Sequence, residues 1–121
     1  METLSQHALD VFSSYLRKDK YKNKIQDLTL KHCTDEDGEY ILLSLIKIKK
    51  SQRHLGYGSA VMSDLINVAN SHNVRIILWV NNLYGSDIKQ LYAFYYKHSF
   101  VLIKNDNDGK MIYYPQKFKF R

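Results

Sequence analysis

At the start of the chain Leu4, Ala8, Val11, Phe12, Tyr15 and Leu16 recur at three and four residues, a spacing that predicts an amphipathic helix over residues 3–17. A polar, basic stretch follows, and the pattern then becomes that of strands. Leu28-Thr29-Leu30-Lys31-His32-Cys33 predicts a short strand, Thr34-Asp35-Glu36-Asp37-Gly38 a turn, and Glu39 to Lys49 a longer strand, together an antiparallel hairpin. The second strand is apolar at nearly every position, which implies burial on both faces and a central place in the sheet. Beyond Gly56 and Gly58 the helical period returns at Val61, Met62, Leu65, Ile66, Val68 and Ala69, runs to about His72 and ends at Asn73. Arg75 to Val80 predicts another central strand, parallel to the earlier one because a helix crosses over between them. Asp87 and Gln90 have the spacing of a capping box, for a helix with Ile88, Leu91, Tyr92 and Tyr95 on one stripe. Phe100 to Lys104 and Lys110 to Tyr114, around the turn at 105–109, predict a closing hairpin ended by Pro115.

Helix, hairpin, helix, strand, helix, hairpin is the order of an α/β sandwich on a mixed sheet. At 121 residues the chain is one domain with one core. With 45% hydrophobic and 25% charged residues it has an ordinary globular composition, and its longest apolar run, Tyr40 to Ile48, is far too short to cross a membrane. The first residues lack the basic and apolar regions of a secretion signal, and a lone cysteine, Cys33, suits a reducing cytoplasm and is expected to be a buried strand thiol. A formal charge of +6, from 18 Lys and Arg against 12 Asp and Glu, favours an anionic ligand. No metal is expected. The five histidines lack ligand spacing, and the turns at 35–38 and 106–109 do not continue as calcium loops. The basic tail 116–121, with Phe118 and Phe120, is expected to pack at an edge or to be partly disordered rather than to stack on bases.

The stretch Gln52-Arg53-His54-Leu55-Gly56-Tyr57-Gly58-Ser59-Ala60 carries the chemistry. Two glycines spaced by one residue let backbone approach a ligand, and the helix that follows aims unpaired N–H groups at the same place. That is a cradle for a phosphate or pyrophosphate. A dinucleotide fingerprint requires a third small residue where Val61 stands, and a P-loop requires Gly-Lys-Ser/Thr, so neither fits.

The pattern Arg53-x-x-Gly56-x-Gly58, preceded by Ile46-Lys47-Ile48 and followed by Phe94-Tyr95-x-Lys97-x-x-Phe100, resembles the GNAT superfamily of acyl-CoA-dependent N-acyltransferases. The resemblance runs from about Leu28 to Tyr114. It implies a GNAT-like, largely antiparallel mixed sheet with two central parallel strands splayed for CoA and flanked by helices. The domain would comprise an N-terminal helix within 1–20, a core at 27–114 and a tail at 116–121. The resemblance also implies that the backbone around Arg53, His54, Leu55, Gly56, Tyr57, Gly58 and Ser59 holds the CoA pyrophosphate. Ile46, Lys47 and Ile48 would pair with the pantetheine arm, Lys49, Lys50 and Arg53 would add positive charge, and Tyr95 would protonate the leaving thiolate. Tyr92 and Tyr96 are the competing tyrosines. Two positions depart from the family: Lys50 stands where many members have proline, and Ser99 where they have glycine before Phe100.

A third departure bears on the acceptor. Many relatives have a glutamate general base where this chain has Leu42; Glu39, Ser44 and His98 are the nearest substitutes. At pH 7 only about one lysine ε-amine in two thousand is neutral, whereas roughly 10 to 15% of an α-amino group is. The expected activity is therefore transfer of acetyl from acetyl-CoA to a weakly basic amine by direct attack. No strand is visible before the first helix, which would leave the acceptor side open and suit a macromolecule, a protein or an aminoacyl-tRNA. A homodimer is compatible with this reading. The alternative is a noncatalytic module that binds CoA or another anion in the same cleft.

Overall fold

The computed structural model describes residues 4–16, 21, 24–48, 51, 56–80, 88–103 and 109–117. Helix α1 (Leu4–Leu16) falls where the apolar spacing places it, with Ala8 and Phe12 fully buried. Its first turn is anchored by a carboxylate from elsewhere in the fold. Glu39 Oε1 accepts both the backbone N–H and the hydroxyl of Ser5, each at 3.0 Å, which places negative charge where a helix presents unpaired N–H groups.

Strands β1 (Ile25–Asp35) and β2 (Gly38–Ile48) form the predicted hairpin. The turn is set by Asp35, whose Oδ1 accepts the Asp37 N–H at 2.9 Å, and by Gly38 at φ 114. β1 is longer at both ends than its apolar core predicts. Its polar ends, Asp27 and Thr34 among them, are held by backbone pairing with β2, which asks nothing of side-chain polarity. Cys33 is half-buried on this strand, not buried as expected, because β1 lies at the edge of the sheet.

Helix α2 (Tyr57–His72) crosses from β2 to β3 (Arg75–Trp79). Asn73 ends the helix in the left-handed region at φ 55, and its N–H is shared between the Ala69 and Asn70 carbonyls. After α3 (Ile88–Lys97) come the short β4 (Val101–Leu102) and β5 (Lys110–Tyr113). The strand order is β1-β2-β3-β5-β4, with β2 and β3 parallel and every other pairing antiparallel.

β2 therefore has the central position that its sequence predicts, but it is not buried on both faces. Ile41 and Leu43 are buried and in the core, whereas Tyr40 and Leu42 are half-buried and Ser44 is exposed. The core lies between the Ile41 and Leu43 face and the helices. Phe12 of α1 and Val61, Met62, Leu65 and Val68 of α2 meet Ile76 and Leu78 of β3 and Met111 of β5 there, joined by Tyr95 and Phe100. Ile88 leaves the predicted apolar stripe of α3 and is exposed, as befits the first residue of that helix.

Candidate functional site

The register of the sheet opens a cleft. β2 and β3 pair at Tyr40 with Arg75, Ile41 with Ile76 and Leu42 with Ile77, and there the pairing stops. Both strands continue, β2 to Ile48 and β3 to Trp79, each still paired on its outer side with β1 and β5 respectively. Two parallel neighbours that part in mid-sheet leave main-chain N–H and C=O groups of β2 facing a gap, where an extended ligand can complete the ladder. Ile46, Lys47 and Ile48 all lie on this unpaired stretch. Ile46 is half-buried against the core.

Helix α2 begins at the same end of the sheet. Gly56, its N-cap, has φ 85 and ψ 5, a left-handed conformation that glycine adopts without strain, and among the described residues no side chain caps the helix. The first intrahelical bond is from the Ala60 N–H to the Gly56 carbonyl at 3.0 Å, so the preceding N–H groups, at Tyr57, Gly58 and Ser59, lie in the uncapped first turn. There is no acidic residue in that turn to oppose an anion. Lys24 sits 5.5 Å from the centre of the Tyr57 ring, a cation at the helix N-terminus that sequence position gave no reason to place there. Ser59 Oγ and His98 Nε2 lie 3.3 Å apart and connect α2 to the end of α3. Burial and the neighbouring Lys97 lower the His98 pKa from its ordinary value, favouring the neutral ring. Arg53, His54, Leu55, Lys49 and Lys50 lie outside the described residues, as do the side chains of Lys47 and Ile48.

The three tyrosines of α3 separate clearly. Tyr95 is buried, its ring edge-on to Phe94 and Phe100 at 5.3 and 5.7 Å, and burial raises its pKa above the usual tyrosine value. Tyr96 is half exposed. Tyr92 stacks on Tyr96 at 6.3 Å, and a Cβ on Gly109 would lie 3.0 Å from its hydroxyl and 3.0 Å from the Val80 carbonyl. The Tyr92 hydroxyl thus sits by the C-terminal end of β3, where Gly109 on the β5 side meets Val80, a position that helical spacing alone could not reveal.

Of the three substitutes for a general base, Glu39 is misplaced. It stands near the start of β2, nine residues or roughly 30 Å of strand from Ile48, where it is committed to Ser5. The sequence suggests a place at the mouth of the strand; the topology puts the opening at the other end. Leu42 is the last residue of β2 to pair with β3, so it marks the floor of the cleft. Among the described residues no group of three or more His, Cys, Asp or Glu could hold a metal.

No protein-family model matches the sequence, and no curated protein is significantly similar to it. Solved structures are similar in fold. The anti-CRISPR protein AcrVA5 superposes with a TM-score of 0.56 at 19% identity, over 71% of this chain and 88% of that one. AtaTR bound with acetyl-CoA gives 0.53 at 16%, over 88% and 78%. Naa50 of Arabidopsis thaliana, in complex with the bisubstrate analogue CoA-Ac-MVNAL, gives 0.54 at 13%, over 93% and 92%. The match to the AtaT–AtaR complex bound to DNA reaches only 57% of that chain. Together with the parted central strands and the strand order, these likenesses show that the chain has a GNAT-like fold.

Proposed function

We propose that this protein is an N-acetyltransferase that takes its acetyl group from acetyl-CoA and delivers it to an amine on a macromolecule, a protein or an aminoacyl-tRNA. The observation that carries the reading is the parting of β2 from β3 beyond Leu42 and Ile77, with the uncapped start of α2 at the same end of the sheet. The backbone of Ile46, Lys47 and Ile48 would hold the pantetheine arm as an added strand. The amides of Gly56, Tyr57, Gly58 and Ser59, with Lys24 and the basic residues at 49, 50 and 53, would hold the pyrophosphate. Naa50 and AtaTR were solved with a CoA-based analogue and with acetyl-CoA respectively, and their likeness in fold supports the assignment.

Acetyl-CoA supplies an activated thioester, and the chain's task is to align it with an unprotonated amine. The nitrogen lone pair forms the N–C bond, the C–S bond breaks with its electron pair on sulfur, and the amine's surplus proton passes to water, giving an amide and a CoA thiolate that solvent then protonates. Tyr95 would donate a hydrogen bond to the departing sulfur. Its raised pKa keeps it protonated throughout the working range and makes it a stabiliser of the thiolate rather than a strong acid. With Leu42 in place of a carboxylate and Glu39 engaged at the far end of β2, the rate depends on an amine already partly neutral at pH 7.

The same two residues favour a second reading, a CoA-binding module without turnover. Calorimetric titration with acetyl-CoA and CoA, followed by mass-detected transfer to a panel of amines, separates the two. Binding with transfer that falls in Tyr95→Phe supports the enzyme, and binding without transfer supports the module. No binding at millimolar ligand removes both.

A further inference from the structure

The outer edge of β1 has no strand beside it among the described residues, although it is eleven residues long. An edge of that length offers a row of backbone donors and acceptors to another chain. The described part of the connection between α1 and β1 does not cover it. Tyr21 hydrogen-bonds Asp64 of α2, and Lys24 lies over Tyr57, both on the inner side of the hairpin. Between this edge and α1 runs a groove of about 540 Å³, walled by Leu9, Asp10 and Ser13 and floored by Leu28 and Leu30.

We propose that β1 pairs antiparallel with β1 of a second copy, about a twofold axis at Thr29, to give a continuous ten-stranded sheet. The occupant is named by the side chains. Leu28 and Leu30 turn toward α1 and the core, so by alternation Asp27, Thr29 and Lys31 share the other face, where Asp27 and Lys31 are exposed. An axis at Thr29 sets Asp27 opposite Lys31 of the second copy twice, Thr29 opposite itself, and on the α1 face Leu28 opposite Leu30 twice. Opposite charges, threonine pairs and apolar pairs are the favourable cross-strand combinations. The competing registers are poorer. An axis at Lys31 sets that lysine against itself and Asp27 against Asp35. An axis at Cys33 would pair Lys31 with Asp35, whose carboxylate already takes two N–H groups of Arg75. The β1–β2 pairing is irregular at Gln26, just outside the proposed pairs, and again between Thr29 and Leu30, where the extra residue is Ser44 of β2, so β1 itself runs without an inserted residue from Asp27 to Asp35.

Sedimentation velocity across a concentration series tests this independently of any catalytic activity. The wild type is expected to dimerise. Lys31→Asp and Asp27→Lys are each expected to weaken the dimer about tenfold or more, and the double exchange to restore it, since it reverses both pairs without changing the register. A monomeric wild type overturns the proposal, as does a dimer that the double exchange fails to rescue. Should either charge variant misfold, Thr29→Cys in a Cys33→Ser background decides: mild oxidation is expected to cross-link the copies at the axis, and failure to cross-link rejects the register.

Discussion

The two ends of the β2–β3 pair are built on opposite principles. At the end where both strands begin, polar groups are spent on one another. Arg75, only 1% exposed, gives hydrogen bonds to both carboxylate oxygens of Asp35 and to the Gly38 carbonyl, and Tyr40 lies under its guanidinium at 5.4 Å. One position on, Glu39 anchors α1. At the other end the strands separate, α2 starts without a cap and Lys24 stands by the first turn. A closed, paired end holds the sheet together, and the far end is left open.

Breaking the closed end is expected to give the largest effect. Arg75→Ala should lower stability by about 3 kcal/mol in urea titration, because it strands part-buried polar groups, while acetyl-CoA affinity stays near the wild-type value. The same variant should flatten the acid limb of the stability profile. Arg75 holds the Asp35 pKa below its unfolded value, so the pair stabilises above the ordinary aspartate range and that contribution is lost as pH falls through the folded pKa.

At the open end Gly56→Val should do the reverse. No heavy atom of the described residues lies within 4 Å of the added Cβ, so the penalty is the left-handed backbone at φ 85. A valine that rotates away from it turns the first-turn N–H groups of α2, and acetyl-CoA affinity should fall about tenfold or more by calorimetry. A loss of stability with affinity unchanged would contradict the cradle.

Glu39→Ala sharpens the contrast, since the sequence offers Glu39 as a base and the fold makes it a helix anchor. Stability should fall by about 1 kcal/mol, and the acetylation rate under folded conditions should be unaffected. The smallest effect is a gain. Ser99 has φ 70, a conformation costly for a residue with a Cβ, so Ser99→Gly should raise stability by roughly 0.5 to 1 kcal/mol in thermal or urea unfolding.

Ser99 also illustrates what could be read early and what could not. As a sequence it is a small departure from the glycine of the motif this chain resembles; its backbone angle explains why glycine suits the position. The glycine pair could be picked out from spacing, because a helix start leaves local signals; spacing put Tyr95 on an apolar stripe with Tyr92, and only the resemblance to a family motif set it apart. Lys24, His98 beside Ser59 and the Tyr92 hydroxyl beside Gly109 could not, since each meets its partner only through the path of the chain.

The sequence by itself determined the order and kind of the elements, the parallel relation of β2 and β3, and a glycine-led helix start at Gly56. Apolar periodicity, turn residues and the handedness of crossovers are local or nearly local causes. Tertiary structure decided which end of β2 is open, that Glu39 serves α1, and that among the described residues β1 lies along an unpaired edge with Asp27 and Lys31 exposed. Those outcomes depend on which strands become neighbours and where their pairing ends, and that is settled only when distant segments are brought together.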